Sequence, residues 1–313
     1  MKALYFDKFG DSDVLKYGEQ PEPVLTADEV LVKTSFIGLN FADIYRRRGE
    51  YTIAQRAPYI NGYEGAGFIV ESKDKWLIGK RVLFVDVPFA NASFVAVPKA
   101  HLIILPDDIS LELAASIGLQ GLTADFLAHD LAKDQQGAKV FISGVTGGVG
   151  QILSQMLRAD GMSVYGSASK EKVATAIKLG VKEVFPSREF SWVEQQSQQF
   201  DTVYDGIGST LNQSIKLLKN RGKVVLFGMA GGQPPQIDFV NLFSQSKNIL
   251  TGDLWHFLTS YEERNSRAQR LFNYFLEEKI TITPPTIFHL SDGKAAHDYL
   301  EKGKNVGKIL LVP

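Results

Sequence analysis

Between residue 1 and about 110, apolar and polar positions alternate at 2–6 and 29–37, and further short apolar runs stand at 65–71, 81–87 and 93–97. Each run stops at glycine, proline or other turn residues, which predicts short β-strands and, from so many of them, a partly closed barrel. A brief helix is predicted over 42–48. At Ser110 the period changes. Ser110 is placed to cap a helix with Glu112 in its first turn, and a helical pattern runs to about Ala132 with an interruption at the glycines of 118–121.

Strand and helix patterns then alternate. Strands are predicted at 139–143, 163–167, 183–185, 202–204, 223–227 and 248–251, with helices at 149–159, 170–179, 191–198 and 210–219. Such alternation predicts an α/β domain whose parallel sheet is doubly wound, with helices on both faces. The tail reads as an amphipathic helix over 259–278, a break at Pro284-Pro285, a short helix over 295–302 and a strand over 308–312. That is too little for a domain, so it is expected to fold back on the N-terminal β region. The expected division is 1–115 with 258–313, and 116–257.

Composition narrows the class. A chain of 313 residues, 44% hydrophobic and 22% charged, suits a globular protein of two domains. A formal charge of −1 gives no electrostatic case for a nucleic-acid partner. No apolar run is long enough for a membrane span, and the N-terminal MKALYFDKFG lacks the features of a signal peptide, so a cytoplasmic protein is expected. Cysteine is absent, which excludes disulfides and thiolate metal sites. The five histidines (His101, His129, His256, His289 and His297) lack ligand spacing and read as surface or packing residues, so no metal is expected.

The densest chemistry is in KVFISGVTGGVG, residues 139–150. A β-branched run meets Gly144, Thr146, Gly147, Gly148, Val149 and Gly150, and an apolar-periodic segment follows. Strand, glycine turn and helix are the context of a dinucleotide site: the glycines permit a tight turn and close approach of a pyrophosphate, and the helix N-terminus offers amides to it. The spacing is G-x-x-G-G-x-G rather than G-x-G-x-x-G, and a glycine-rich βα turn without a ligand is the plainer alternative. At the end of the next strand, where NAD-preferring sites carry an acidic residue, stand Ser167-Ala168-Ser169, then Lys170 and Lys172. Hydroxyls and an ammonium there suit a 2′-phosphate, which favours NADPH.

Four stretches, GLNFADIYRRRGEY (38–51), GYEGAG (62–67), GLQGLTA (118–124) and SGVTGGVG (143–150), resemble the zinc-free quinone oxidoreductase (zeta-crystallin-like) branch of the medium-chain dehydrogenase/reductase superfamily. The resemblance spans essentially the whole chain. It implies a Rossmann-type dinucleotide domain and a catalytic GroES-like β domain completed by the tail. Zinc-dependent relatives carry a Cys where this chain has Asn40 and a His where it has Tyr63, so a Lewis-acid mechanism lacks its ligands. In that branch the segment matching Asn40–Tyr45 lies between the domains beside the nicotinamide. Asn40, Asp43, Tyr45 and Tyr51 match it, and neutral amide and hydroxyl donors there could stabilise charge on a reduced carbonyl. The alternative for the tyrosines is packing at the domain junction.

The resemblance adds cofactor contacts at Asn40, Thr123, Phe126, Lys172, Gly206, Phe227 and Gly228, with Ser187 at a position where many relatives have Tyr. The basic run Arg46-Arg47-Arg48 reads as a solvated helix end. The function implied is NADPH-dependent hydride transfer to quinones or α,β-unsaturated carbonyls. The rivals are an enoyl-thioester or activated-alkene reductase on the same fold, and an NADPH-binding protein with little turnover. A homodimer formed along the last strand of the nucleotide sheet, near 247–253, is expected.

Overall fold

The computed structural model describes residues 1–53 and 57–313. In chain order the elements begin with β1 (Lys2–Phe6), β2 (Lys16–Glu19), β3 (Glu29–Leu39), α1 (Phe41–Arg48), β4 (Tyr59–Ile60) and β5 (Glu64–Glu71). Next come β6 (Arg81–Val85), β7 (Phe94–Pro98), β8 (Leu102–Ile104) and α2 (Leu111–Phe126). The alternating region holds β9 (Lys139–Ile142), α3 (Gly148–Ala159), β10 (Ser163–Ala168), α4 (Val173–Lys178), β11 (Val184–Pro186) and α5 (Trp192–Gln195). It continues with β12 (Phe200–Asp205), α6 (Leu211–Leu217), β13 (Leu218–Leu226), α7 (Phe239–Gln245) and β14 (Asn248–Leu250). The tail holds α8 (Tyr261–Leu276), β15 (Thr286–His289), α9 (Gly293–Glu301) and β16 (Ile309–Val312).

Two compact units result. One comprises Met1–Gln120, Leu258–Phe272 and Thr283–Pro313; the other comprises Gly121–Phe257 and Asn273–Ile282. Two of the four boundaries fall inside helices, one in α2 and one in α8. Ser110 caps α2 as expected, its hydroxyl accepting the Leu113 N–H at 3.1 Å. The expected break at 118–121 is corrected, because α2 runs through it. A Cβ on Gly118 would lie 2.7 Å from Glu64 Oε1 and from Leu83. Glycine there serves close packing of helix on strand rather than chain reversal.

The first unit is built on β3. β5 pairs along one of its edges; on the other, β7 pairs with Glu29–Lys33 and β16 with Ile37–Leu39. β6 and β8 extend the sheet beyond β5, and β15 joins β16. The tail thus completes this sheet. Leu4, Phe6, Ile37, Leu39 and Ile44 form one core with Leu300, Ile309 and Leu311, while Val30, Val32, Ile69, Val82, Phe84 and Val95 form another.

Only Arg48 of the basic run in α1 is exposed, while Arg46 and Arg47 are buried, which corrects the sequence reading. Arg47 is buried: its guanidinium meets His297 Nδ1 at 3.0 Å, donates to the Gly10 carbonyl at 3.1 Å and pairs with Glu301. Burial, and then the Arg47 charge, push the His297 imidazole down to about 3, so it stays neutral.

In the second unit all six strands are parallel, in the order β11-β10-β9-β12-β13-β14. Counted from β9 this is 3-2-1-4-5-6, the doubly wound order whose switch point lies between β9 and β12. Phe141, Phe200, Val203, Leu211, Leu218 and Val224 form its core.

His129 sits in the π-helical turn Leu127–Ala132, between Asp125 at 3.0 Å and Asp160 at 3.2 Å, and the Tyr274 hydroxyl donates to Asp160 at 2.7 Å. Hydrogen bonds to the two carboxylates raise the His129 imidazole from 6.5 to about 9. The folded value is the higher one. Its stabilisation is therefore complete below pH 6.5 and is lost as pH climbs through about 9. After discounting for its partial exposure, His129→Gln should remove roughly 1–2 kcal/mol at pH 6 and little at pH 9.5. Denaturant midpoints at the two pH values measure this, and an equal loss at both would contradict it.

Candidate active site

In the first unit the site grows from the end of β3. The chain leaves the strand at Asn40, whose extended backbone starts α1 and whose N–H donates to Asp43 Oδ2 at 2.9 Å. This is half of a capping box, with the carboxylate at the third helical position. The Asn40 side chain is fully engaged. Its amide donates to the Gly38 carbonyl at 3.3 Å and to Glu64 Oε2 at 3.0 Å, and its Oδ1 accepts from the Lys308 ammonium at 2.8 Å. Lys308 pairs with Glu64 at 2.5 Å, and the other Glu64 oxygen accepts the Leu119 N–H at 2.6 Å. A Cβ on Gly38 would strike this carboxylate, so only glycine fits beside it.

These contacts correct the expectation that the Asn40 amide is free to donate to a substrate. It ties β3, β5 and β16 together. Glu64 and Lys308 escaped the sequence reading, although a Glu that opens β5 and a Lys directly before the apolar β16 carry a signal: such charges are buried only when paired.

Asp43 is buried, with Oδ1 3.8 Å from Arg46. Burial lifts its carboxyl to about 6, against the opposing pull of Arg46 and of the Asn40 amide. Arg46 is also buried and its guanidinium lies over the Tyr63 ring, 3.6 Å from the centroid. The Tyr45 and Tyr51 rings pack 5.0 Å apart, Tyr45 buried and Tyr51 exposed. The structure therefore groups Asn40 with Asp43, and Tyr45 with Tyr51. Among the described residues, no group of three or more His, Asp or Glu side chains could hold a metal ion.

In the second unit β9 ends at Ile142 and the turn follows. Gly144 takes a positive φ of 68°, and Gly147 N–H closes onto the Gly144 carbonyl at 2.9 Å. A Cβ on Gly150 would lie 2.5 Å from that carbonyl. Gly147 caps α3 with no side chain, which leaves the first-turn amides, Gly148 and Val149 among them, without a side-chain acceptor. Thr146 is buried within the turn. Bare amides, glycine clearance and a helix dipole fit a pyrophosphate.

Ser167 is expected to touch the cofactor, but it is buried and its hydroxyl accepts the Gly144 N–H at 3.3 Å. It shapes the turn instead. Beyond β10, Ser169 and Lys172 form a tight turn, and Ser187 N–H donates to the Ala168 carbonyl at 3.0 Å, which brings the ends of β10 and β11 together. Burial, and the neighbouring Arg188, hold the half-buried Lys172 ammonium below its ordinary range, with Glu171 opposing. Two cations beside each other at a strand end suit an anion of more than one charge.

At the end of β12, Gly206 and Gly228 are in close register: a Cβ on Gly228 would lie 2.8 Å from the Gly206 carbonyl, and one on Gly206 would lie 2.7 Å from the Phe227 ring. The buried Asp205 organises this turn, accepting from Ile207 N–H at 2.8 Å, Gly208 N–H at 3.1 Å, Thr210 at 3.0 Å and Ser214 at 2.7 Å. It is a positioning residue that the sequence reading missed. Thr123 is half-buried on α2. Phe126 is corrected: its ring is enclosed against Phe257 at 4.5 Å, and Gly252 leaves room for it, so it packs the unit's core.

A 3-2-1-4-5-6 nucleotide sheet in a chain that also carries a GroES-like β unit defines a medium-chain dehydrogenase/reductase. Comparison with known proteins agrees. The profile of the alcohol dehydrogenase GroES-like domain matches residues 26–107, and that of the zinc-binding dehydrogenases matches 179–311. A probable quinone oxidoreductase of Schizosaccharomyces pombe is 32% identical, covering 97% of this chain and 95% of that protein. A 2-haloacrylate reductase of a Burkholderia species is 30% identical over 91% of each chain. The Escherichia coli quinone oxidoreductase, solved with NADPH, superposes with a TM-score of 0.95 at 28% identity and full coverage of both chains. The chain belongs to the zinc-free quinone oxidoreductase branch of this superfamily.

Proposed function

We propose that this protein is an NADPH-dependent oxidoreductase that reduces quinones or α,β-unsaturated carbonyl compounds without a metal. The observation that carries the reading is the second unit's glycine turn and uncapped helix, with Lys172 and Arg188 just beyond the neighbouring strand, whose last residues, Ser167 and Ala168, are not acidic. The first-turn amides of α3 would hold the pyrophosphate, and Ser169, Lys172 and Ser187 the adenosine 2′-phosphate. Backbone groups at Gly206, Phe227 and Gly228 would line the same path, with Thr123 toward the nicotinamide. Bound NADPH supplies a hydride. The chain supplies orientation, exclusion of water and hydroxyl donors, among them Tyr45 and Tyr51.

A quinone oxidoreductase and a 2-haloacrylate reductase among the relatives support acceptors with an electron-poor carbon or oxygen. A set of quinones, enones and enoyl thioesters, assayed with NADPH and with NADH in the presence of chelator, tests the reading. Acceptor-dependent NADPH oxidation is expected. Cofactor binding without turnover would make the protein a binding module, and faster reaction with NADH would remove the phosphate assignment.

We also propose a homodimer formed along β14. This strand is an edge of its sheet, and the helix before it exposes Phe239 at 62%, Val240 at 75% and Phe243 at 76%. Open edges and contiguous apolar patches call for cover. Sedimentation of wild type and of Phe243→Lys distinguishes a dimer that this change weakens from a monomer. Among the described residues no helix is long and apolar enough to cross a membrane, and a cytoplasmic location goes with the proposal.

A further inference from the structure

We infer that Tyr63 donates the proton that completes reduction of the acceptor, and that Arg46 and Asp43 are positioning residues for it. The inference rests on the activity proposed above and assigns a role to a residue that the cofactor and acceptor contacts leave unused. Tyr63 stands between two buried residues, Gly62 and Glu64, the second of which binds the Asn40 amide, while Tyr63 itself is only half-buried. Its backbone is fixed by the core, and the residue is partly exposed.

The Arg46 guanidinium covers one face of the ring, 3.6 Å from the centroid. Arg46 is held there, because it is buried and Asp43 lies 3.8 Å from it. Asp43 is itself anchored by the Asn40 N–H at 2.9 Å, and its carbonyl accepts from the Asn61 amide at 2.6 Å. Among the described residues, the Arg46 Nε has no partner. A buried guanidinium fixed over a phenol is an arrangement with a chemical consequence: the cation favours the phenolate over the phenol, so proton loss from Tyr63 leaves an anion beside a waiting charge. Burial, helped by the Asp43 and Asp86 charges, holds the Tyr63 hydroxyl above its ordinary range, with the Arg46 charge and hydrogen bond opposing. The donor is thus protonated at rest, as a general acid must be.

The step balances. Hydride addition at the β-carbon of an enone moves the C=C electron pair onto the carbonyl oxygen. The Tyr63 O–H bond then breaks, its proton goes to that oxygen, and the electron pair remains on the phenolate until solvent returns a proton. The acceptor gains a hydride and a proton in all. A hydroquinone anion is a weaker base than an enolate, so quinones should depend less on the donor.

Tyr63→Phe removes the hydroxyl and keeps the ring under Arg46, and Tyr17→Phe, at an exposed tyrosine on β2, serves as the comparison. For Tyr63→Phe, kcat on an enone should fall roughly tenfold to a hundredfold, while kcat on a quinone and the NADPH dissociation constant change by less than about threefold. Binding of 4-nitrophenolate, a probe for an anionic oxygen that needs no turnover, should weaken by roughly tenfold. Unchanged enone kcat together with unchanged probe affinity would overturn the inference. So would the same pattern in Tyr17→Phe in place of Tyr63→Phe, or equal losses on both acceptors with a changed NADPH affinity. If the wild type oxidises NADPH with no acceptor, the proposed function fails by itself, and the nitrophenolate comparison still decides Tyr63.

Discussion

Replacing Lys308 with methionine is expected to destabilise the first unit by about 3–5 kcal/mol, because it leaves a buried carboxylate without its cation. Glu64 is 0% exposed and Lys308 1%, with 2.5 Å between their charged atoms. Without the ammonium, Glu64 keeps, among the described residues, the Asn40 amide and the Leu119 N–H. Two neutral donors do not replace a charge in an interior of low dielectric. The Asn40 Oδ1 also loses its donor, so the junction of β3, β5 and β16 loosens at the point where α1 begins. Glu64→Gln with Lys308→Met should recover a large part of the loss, since no unpaired charge then remains. Denaturant unfolding of both single variants and the double variant closes the cycle. Additive losses would show that the two residues act independently, against this account.

Lys172→Ala carries the largest expected effect on binding. Hydrogen bonds to charged groups contribute about 1.5–3 kcal/mol, so losing an ammonium–phosphate contact should raise the NADPH dissociation constant roughly tenfold to a hundredfold. NADH has no 2′-phosphate and should bind with unchanged affinity. Arg188 stands beside Lys172 and should retain part of the selectivity, so the double replacement should lose more than either single one. Calorimetric titration of both cofactors separates the outcomes. Equal losses for NADPH and NADH would place Lys172 in support of the fold, and no loss for either would make it a bystander.

The second unit was largely legible from the chain, since local signals define it. An apolar strand, a glycine turn and an amphipathic helix lie in direct succession at β9 and α3, and the same period repeats along β10, β12 and β13. What stayed hidden depends on partners distant in sequence. Glu64 and Lys308 are 244 residues apart, and Arg47 meets His297 250 residues on, so no local pattern could mark them as buried pairs. The basic run therefore read as surface. Gly118 read as a break because its task, admitting Glu64 and Leu83 against a helix, is tertiary. The helix α7 escaped because Phe239, Val240 and Phe243 face outward and leave no buried stripe to detect. Position along the chain alone points Phe126 and Ser167 to the cofactor, whereas packing against Phe257 and a bond to the Gly144 N–H account for them.

The central claim is hydride transfer from NADPH to an electron-poor acceptor, and isotope transfer tests it most directly. NADPH carrying deuterium at the transferred 4-position is incubated with the protein and an enone, and the saturated product is read by mass spectrometry and NMR. The account predicts a single deuteron at the β-carbon for each NADPH consumed, and a proton from solvent at the α-carbon. Product without deuterium, or NADPH consumed at the same rate with no acceptor present, would contradict it.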